Sequence, residues 1–278
     1  GTSVDSAMAV ITLPKTAAAL QQELLSQTLS GLRSAFQPQG ARLIGGHTLE
    51  ARAEAPTHLS LGLQVSLTVN GKRPAHPWKK GGLQPGDQLL LSRPLGTGVL
   101  FAAAMAGAAQ PEDLDHALAQ MGTSQHPIVQ QLQELINLEA KTKAKAQPSC
   151  TDVTGFGLLG HLGEMLQASS QSLQVVLDGS AIPALPGALK LLKGQYASSL
   201  APANRRAWSL LDPTQGKPAK VILARASSGC TPEDHQAMLE LLVDPQTCGP
   251  LMLSCSGAMA DALLQANDTE WHHIGVVQ

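Results

Sequence analysis

The chain has 278 residues, 43% of them hydrophobic, 14% charged and only 3% aromatic, with a formal net charge of −2. That length suits two domains, and the aliphatic content supports buried cores and excludes disorder over most of the chain. With no basic stripe, no nucleic-acid partner is expected; with no run near the roughly 18 apolar residues of a membrane helix and no basic start to a signal peptide, no membrane partner is expected and the location is cytoplasmic.

Val4 to Leu13 is an apolar run that reads as a buried strand. Pro14 opens an amphipathic helix whose inner face is Ala18, Leu20, Leu24, Leu25, Leu29 and Leu32. Gly31 to Gly40 is the exit from that helix, and Ala41 to Ile44 is a short strand running into Gly45-Gly46-His47-Thr48. Paired glycines after a strand allow another backbone or a ligand to approach closely. His47 adds a donor there and Thr48 a hydroxyl, although a lone histidine is also an ordinary structural residue. Leu59 to Val69 alternates as a strand, and Asn70-Gly71 signals a turn. Pro74, Pro77, Gly81, Gly82, Pro85 and Gly86 then break regular structure, which places a domain boundary near residues 74–82. The predicted domains are residues 1–76 and 77–278.

Beyond the boundary, Gln88 to Ser92 reads as a strand, P-L-G-T-G (Pro94 to Gly98) as a glycine loop, and Val99 to Ala109 as a small-residue helix. Leu114 to Met121 and Ile128 to Leu138 are further helices, and Lys141, Lys143 and Lys145 a solvated helix end or linker. The stretch C-T-D-V-T-G-F-G-L-L-G-H-L (Cys150 to Leu162) repeats the grammar of strand, glycine loop and helix, with Leu158, Leu159, Leu162, Met165 and Leu166 at helical spacing to about Gln167. A helix start presents unpaired N–H groups suited to an anion. A carboxylate just ahead of it, Asp152, suits a hard cation such as Mg²⁺, which binds one or two carboxylates together with substrate phosphates. The competing reading is that Asp152 and Thr154 merely cap the helix. Leu173 to Leu177 is a strand, Ser198 to Arg206 a polar loop, and Glu233 to Leu242 a helix leading into D-P-Q-T-C-G (Asp244 to Gly249). The strand Leu251 to Ser254, the helix Ala258 to Gln265 and the strand His273 to Val277 close the chain. Cys150, Cys230, Cys248 and Cys255 form no C-x-x-C pair, so neither structural zinc nor a disulfide framework is expected. Cys150 reads as a packed thiol rather than a nucleophile.

Four motifs in this order, G-G-H-T, L-S-R-P-L-G-T-G-V-L-F (Leu91 to Phe101), T-D-V-T-G-F-G-L-L-G-H and D-P-Q-T-C-G, closely resemble selenophosphate synthetase (selenide, water dikinase), of the aminoimidazole-ribonucleotide-synthetase-like superfamily. The resemblance covers essentially the whole chain. It implies a two-domain α+β fold with helices packed on mixed sheets, and a homodimer whose N-terminal domains join sheets in a shared barrel with ATP near the subunit interface. The reaction it implies converts ATP, selenide and water to selenophosphate, AMP and phosphate with Mg²⁺. Carried over by position, Asp152 is the magnesium ligand, and Gly45, Gly46 and His47 contact ATP. Thr48, Thr151 and Thr154 are expected to support those ligands from behind. Asp244 matches a family motif but is read as a turn former, since Asp-Pro is ordinary turn chemistry.

The departures bear on activity. The family's flexible loop with its reactive cysteine or selenocysteine and lysine, and further magnesium-binding aspartates, has no counterpart here. Gly1 aligns just after that segment, so the N-terminal domain is expected to be incomplete and the chain inactive by itself. Cys248 and Pro250 stand where the family usually has Ser and Gly. Two alternatives stay open: another member of the superfamily, such as aminoimidazole ribonucleotide synthetase, thiamine-monophosphate kinase or the hydrogenase-maturation carbamoyl dehydratase, and a non-catalytic dimerisation or nucleotide-binding module.

Overall fold

Two mixed sheets with helices laid on them organise the chain. The computed structural model describes residues 2–51, 62–74, 77–141, 147–213, 218–224, 231–266 and 271–278. Leu59, Leu61, Lys143, Lys145 and Cys230 lie outside them. The chain divides into Gly1–Pro77 and Trp78–Gln278.

In the first unit β1 (Ser3–Leu13) is central, parallel to β2 (Arg42–Glu50) and antiparallel to β3 (Gln64–Lys72). A parallel pair needs a crossover, which α1 (Ala18–Phe36) supplies. Leu24, Leu25, Leu29 and Leu32 of α1 pack on Ala9, Ile11 and Leu13, and Phe36 closes over Ala7 and Ala41. Leu20, expected on that inner face, is exposed. The helix also continues through Gly31 to Phe36, since its remaining turns still carry Leu32 and Phe36 onto the sheet.

Two expectations about this sheet change, and part of one face stands open. The glycine pair does not follow β2 but lies within it: pairing with β1 persists to Leu13 opposite Glu50, after a register shift that sets Ala7 opposite Leu43 and Met8 opposite Gly45. Gly46 has φ +149°, and a Cβ there would lie 1.8 Å from the Ala9 carbonyl oxygen. The close approach at Gly46 is therefore to the neighbouring strand. Asn70-Gly71, expected as a turn, stays in β3 opposite Ser6 and Val4. Finally, Val65, Leu67 and Val69 stand opposite Ile11, Ala9 and Ala7 and so share the helix-covered face, yet they are 42%, 42% and 49% exposed.

The second unit is a six-stranded sheet in the order β5-β8-β4-β9-β6-β7, built from β4 (Gln88–Leu91), β5 (Ser149–Asp152), β6 (Val175–Asp178), β7 (Val221–Ala224), β8 (Leu251–Cys255) and β9 (His272–Val277). All neighbours are antiparallel except β6 and β7. The consecutive leucines of β4 reflect its central place: Leu89 and Leu91 enter one core and Leu90 the other, so this strand is covered on both faces. The larger core includes residues of α2 (Thr97–Met105), α5 (Gly157–Gln167), α6 (Ala188–Lys193) and α8 (Pro232–Val243), with Ala117 of α3 (Pro111–Gly122). The smaller core takes Leu132 and Ile136 of α4 (His126–Lys141) with Met259 and Leu263 of α9 (Gly257–Gln265).

Residues 198–206, read as a loop, instead enter α7 (Ala201–Asn204) and a 3₁₀ turn (Arg205–Leu210). Tertiary anchors explain the difference: Arg205 pairs with Glu240, and the Trp208 indole N–H donates to the Leu239 carbonyl at 3.1 Å. The short strand β7 was not anticipated. Among the described residues no helix is long and apolar enough to cross a membrane.

Candidate functional site

Other motifs grip the backbone of the segment between β5 and α5. Val153 N–H donates to the Pro250 carbonyl at 2.8 Å, and the Thr154 carbonyl accepts from Gly157 N–H and Gln246 N–H, both at 3.0 Å. Gly157 has φ +70°, and a Cβ there would lie 2.7 Å from the carbonyl carbon of Val243 at the end of α8. Only glycine lets α5 begin that close to α8. Buried Asn204 locks the same point, its Nδ2 donating to the carbonyls of Gly155 at 2.8 Å and Val243 at 3.0 Å.

The motifs P-L-G-T-G, T-D-V-T-G and D-P-Q-T-C thereby meet in one place. Gln246 Oε1 accepts from Gly96 N–H at 3.0 Å, Thr97 N–H at 3.3 Å and the Thr97 hydroxyl at 3.2 Å. The Thr97 oxygen in turn accepts from Thr247 N–H at 2.9 Å. Asp244 is not merely a turn former. It is 1% exposed, and its Oδ2 accepts from Gly98 N–H at the start of α2 at 3.0 Å and from Gln246 Nε2 at 2.9 Å. Its Oδ1 is buried without a hydrogen bond among the described residues. Burial pushes this carboxyl up to about 7, against the pull of the Gln246 and Gly98 hydrogen bonds. Sequence reasoning missed both Asn204 and the burial of Asp244.

Asp152 does not cap α5: that helix has no side-chain cap at its start. The carboxylate is exposed and has no hydrogen bond or ion pair among the described residues. Thr151 lies buried on the other side of the strand, its hydroxyl 3.4 Å from the Asp152 backbone oxygen. Thr154 is half-buried, and its Oγ1 lies 3.2 Å from His161 Nε2. His161, 5% exposed, continues the chain of contacts through Nδ1 to Glu164 Oε2 at 3.0 Å, and Lys80 Nζ meets the same oxygen at 2.7 Å. Lys80 first, with His161 adding to it, holds the Glu164 carboxyl below its ordinary range. Cys150 is no substitute nucleophile, because burial pushes its thiol up to about 12.

Among the described residues no three His, Cys, Asp or Glu side chains gather as a metal cage. One free, exposed carboxylate at a glycine turn fits Mg²⁺ instead, which keeps several waters and completes its shell with substrate phosphates. Beside the turn opens a cavity of about 540 Å³ whose walls include Phe156, Gly160, Glu164, Asn204, Arg206 and Lys220. Another, of about 610 Å³, is lined by residues such as Ser180, Lys193, Asp234 and His235 and includes none of the sequence's candidates. Gly45, Gly46, His47 and Thr48 belong to the first unit, where all four are exposed on β2 and a Cβ at Gly45 would meet nothing within 4 Å among the described residues.

Residues 84–278 match the family described as AIR synthase related protein, C-terminal domain, and the chain belongs to that family. It is 33% identical over 244 residues to the protein named selenide, water dikinase of Desulfitobacterium hafniense, a match that covers 87% of this chain and 60% of that one. The chain thus spans about 60% of the length of such relatives. Among solved structures it resembles E. coli HypE, a hydrogenase maturation protein, with a TM-score of 0.62 and 15% identity over 100% of this chain and 68% of that one. It also resembles HypE in complex with ATP, with a TM-score of 0.55 and 14% identity over 100% of this chain and 66% of that one. These likenesses show the expected two-domain α+β fold of the aminoimidazole-ribonucleotide-synthetase type, with helices on mixed sheets.

Proposed function

We propose that these residues form the cation- and phosphate-handling part of a selenide, water dikinase, which converts ATP, selenide and water to selenophosphate, AMP and phosphate. The observation that carries the reading is the free Asp152 carboxylate at a glycine turn leading into a helix start. Its support from outside the site is the 33% identity to a protein of that name and the fold shared with an ATP-bound HypE. Asp152 would hold Mg²⁺, and that ion would neutralise charge on the phosphates as they separate. The chain's own part is to keep the carboxylate exposed and to immobilise the turn through Asn204, Gln246 and Gly157. Gly45, Gly46 and His47 are proposed to contact ATP. A homodimer through the first unit's sheet fits the exposed Val65, Leu67 and Val69.

By itself the chain is proposed to bind ATP weakly and turn it over little, since it covers 60% of the dikinase it matches. The test is ³¹P NMR of ATP, selenide and Mg²⁺ with a chimera that restores the part of the dikinase outside the match. Selenophosphate and AMP appearing in equal amounts supports the proposal. ADP as the only nucleotide product, at a rate indifferent to selenide, contradicts it.

A further inference from the structure

The contacts Thr154–His161–Glu164–Lys80 have a direction that can be worked out from who donates. A carboxylate bonded to Lys80 is ionised and can only accept, so the His161 nitrogen facing Glu164, Nδ1, carries the proton. In the neutral imidazole Nε2 is then the acceptor, and the Thr154 hydroxyl, 3.2 Å away, must donate to it. The hydroxyl's single proton is spent inward. What remains is a pair of acceptor lone pairs on the hydroxyl of a half-buried residue, two along the chain from Asp152, with the two Cα atoms at most about 7 Å apart. Such an oxygen repels a phosphate oxygen and accepts from a donor, and the donors expected beside a magnesium-binding carboxylate are the waters the ion keeps.

We propose that His161 and Glu164 are positioning residues that fix the polarity of the Thr154 hydroxyl, so that Thr154 accepts a hydrogen bond from the hydrated cation at Asp152 rather than donating to phosphate. The proposal rests on Asp152 being the cation's carboxylate. It assigns three residues a joint role: Thr154 touches the hydration shell, His161 accepts the hydrogen bond from the Thr154 hydroxyl, and Glu164, held ionised by Lys80, sets the tautomer. Glu164→Gln is the informative change. A glutamine can turn its oxygen to Lys80 and its amide N–H to Nδ1, which moves the imidazole proton to Nε2 and reverses both hydrogen bonds. The hydroxyl proton then points outward, against the donors it should receive.

The experiment uses Mn²⁺ as the probe, its binding followed by electron paramagnetic resonance with and without ATP, together with ¹⁵N NMR of the His161 ring. The wild type is expected to show the Nδ1–H tautomer and E164Q the Nε2–H tautomer. Mn²⁺ affinity should fall three- to tenfold in both T154V and E164Q, with T154S staying close to wild type and unfolding midpoints of all three unchanged. D152N separates the two levels. If D152N leaves Mn²⁺ binding intact, the cation site itself is misplaced and this inference goes with it. If D152N abolishes binding while T154V and E164Q bind as the wild type does, the cation reading stands and the positioning role is overturned. An Nε2–H tautomer in the wild type also overturns it, and unfolding of T154V leaves T154S and E164Q to decide.

Discussion

At the residue scale, the least expected side chain is Asp244. Its carboxyl titrates near 7 in the fold against about 4 in an unfolded chain. Between those values the folded protein holds a proton that the unfolded chain has released. Stability therefore falls as pH rises from about 4 to about 7 and levels off above, by about 1.4 kcal/mol for each pH unit between the two values and so a few kcal/mol in all. Asp244→Asn keeps an acceptor for Gly98 N–H but removes the charge. Urea midpoints at pH 5 and pH 8 should differ less in D244N than in the wild type, with D244N the more stable of the two at pH 8; an unaltered slope would place the titration elsewhere. The sequence showed Asp-Pro and suggested a turn. It could not show burial, because that follows from Gly98 and Gln246, 146 and 2 residues away. Asn204 was hidden for the same reason: a polar residue in an unpatterned stretch looks solvated until Gly155 and Val243 are seen to need its amide.

Elements with strong periodicity were legible and short ones were not. The helix of Leu158, Leu159, Leu162, Met165 and Leu166 runs from Gly157 to Gln167 as read, because its apolar stripe is set locally. The four-residue β7 and the 3₁₀ turn after α7 owe their form to partners distant in sequence. His161 and Glu164 were visible as neighbours at i and i+3, but nothing local said that Thr154 would close the chain of contacts. Two glycines make the distinction testable. Gly157→Ala places a side chain at φ +70° and 2.7 Å from Val243, and should cost more than about 2 kcal/mol. Gly31→Ala, exposed in the interior of α1 with nothing within 4 Å among the described residues, should instead stabilise by about 0.5–1 kcal/mol. Thermal unfolding of both variants checks the pair, and equal effects would mean that the tight approach of α5 to α8 is not what selects glycine.

On the scale of the whole molecule, the mixed sheets and the helices on them followed from the resemblance that the order of the motifs carries, and the hydrophobic period located single helices and strands. The fate of the first sheet was not readable, because Val65, Leu67 and Val69 have the pattern of buried positions yet are exposed. Exposed strands of that kind invite association. Sedimentation at micromolar concentration should show a dimer for the wild type and a monomer for Leu67→Lys, whereas a wild-type monomer would leave that face without its expected partner. The central claim is that Asp152 meets a cation and a nucleotide's phosphates, and calorimetric titration of ATP into wild type and Asp152→Asn, with and without Mg²⁺, tests it most directly. Mg²⁺ should tighten ATP binding at least tenfold in the wild type and have no such effect in D152N. An equal response to Mg²⁺ in both proteins would contradict the claim.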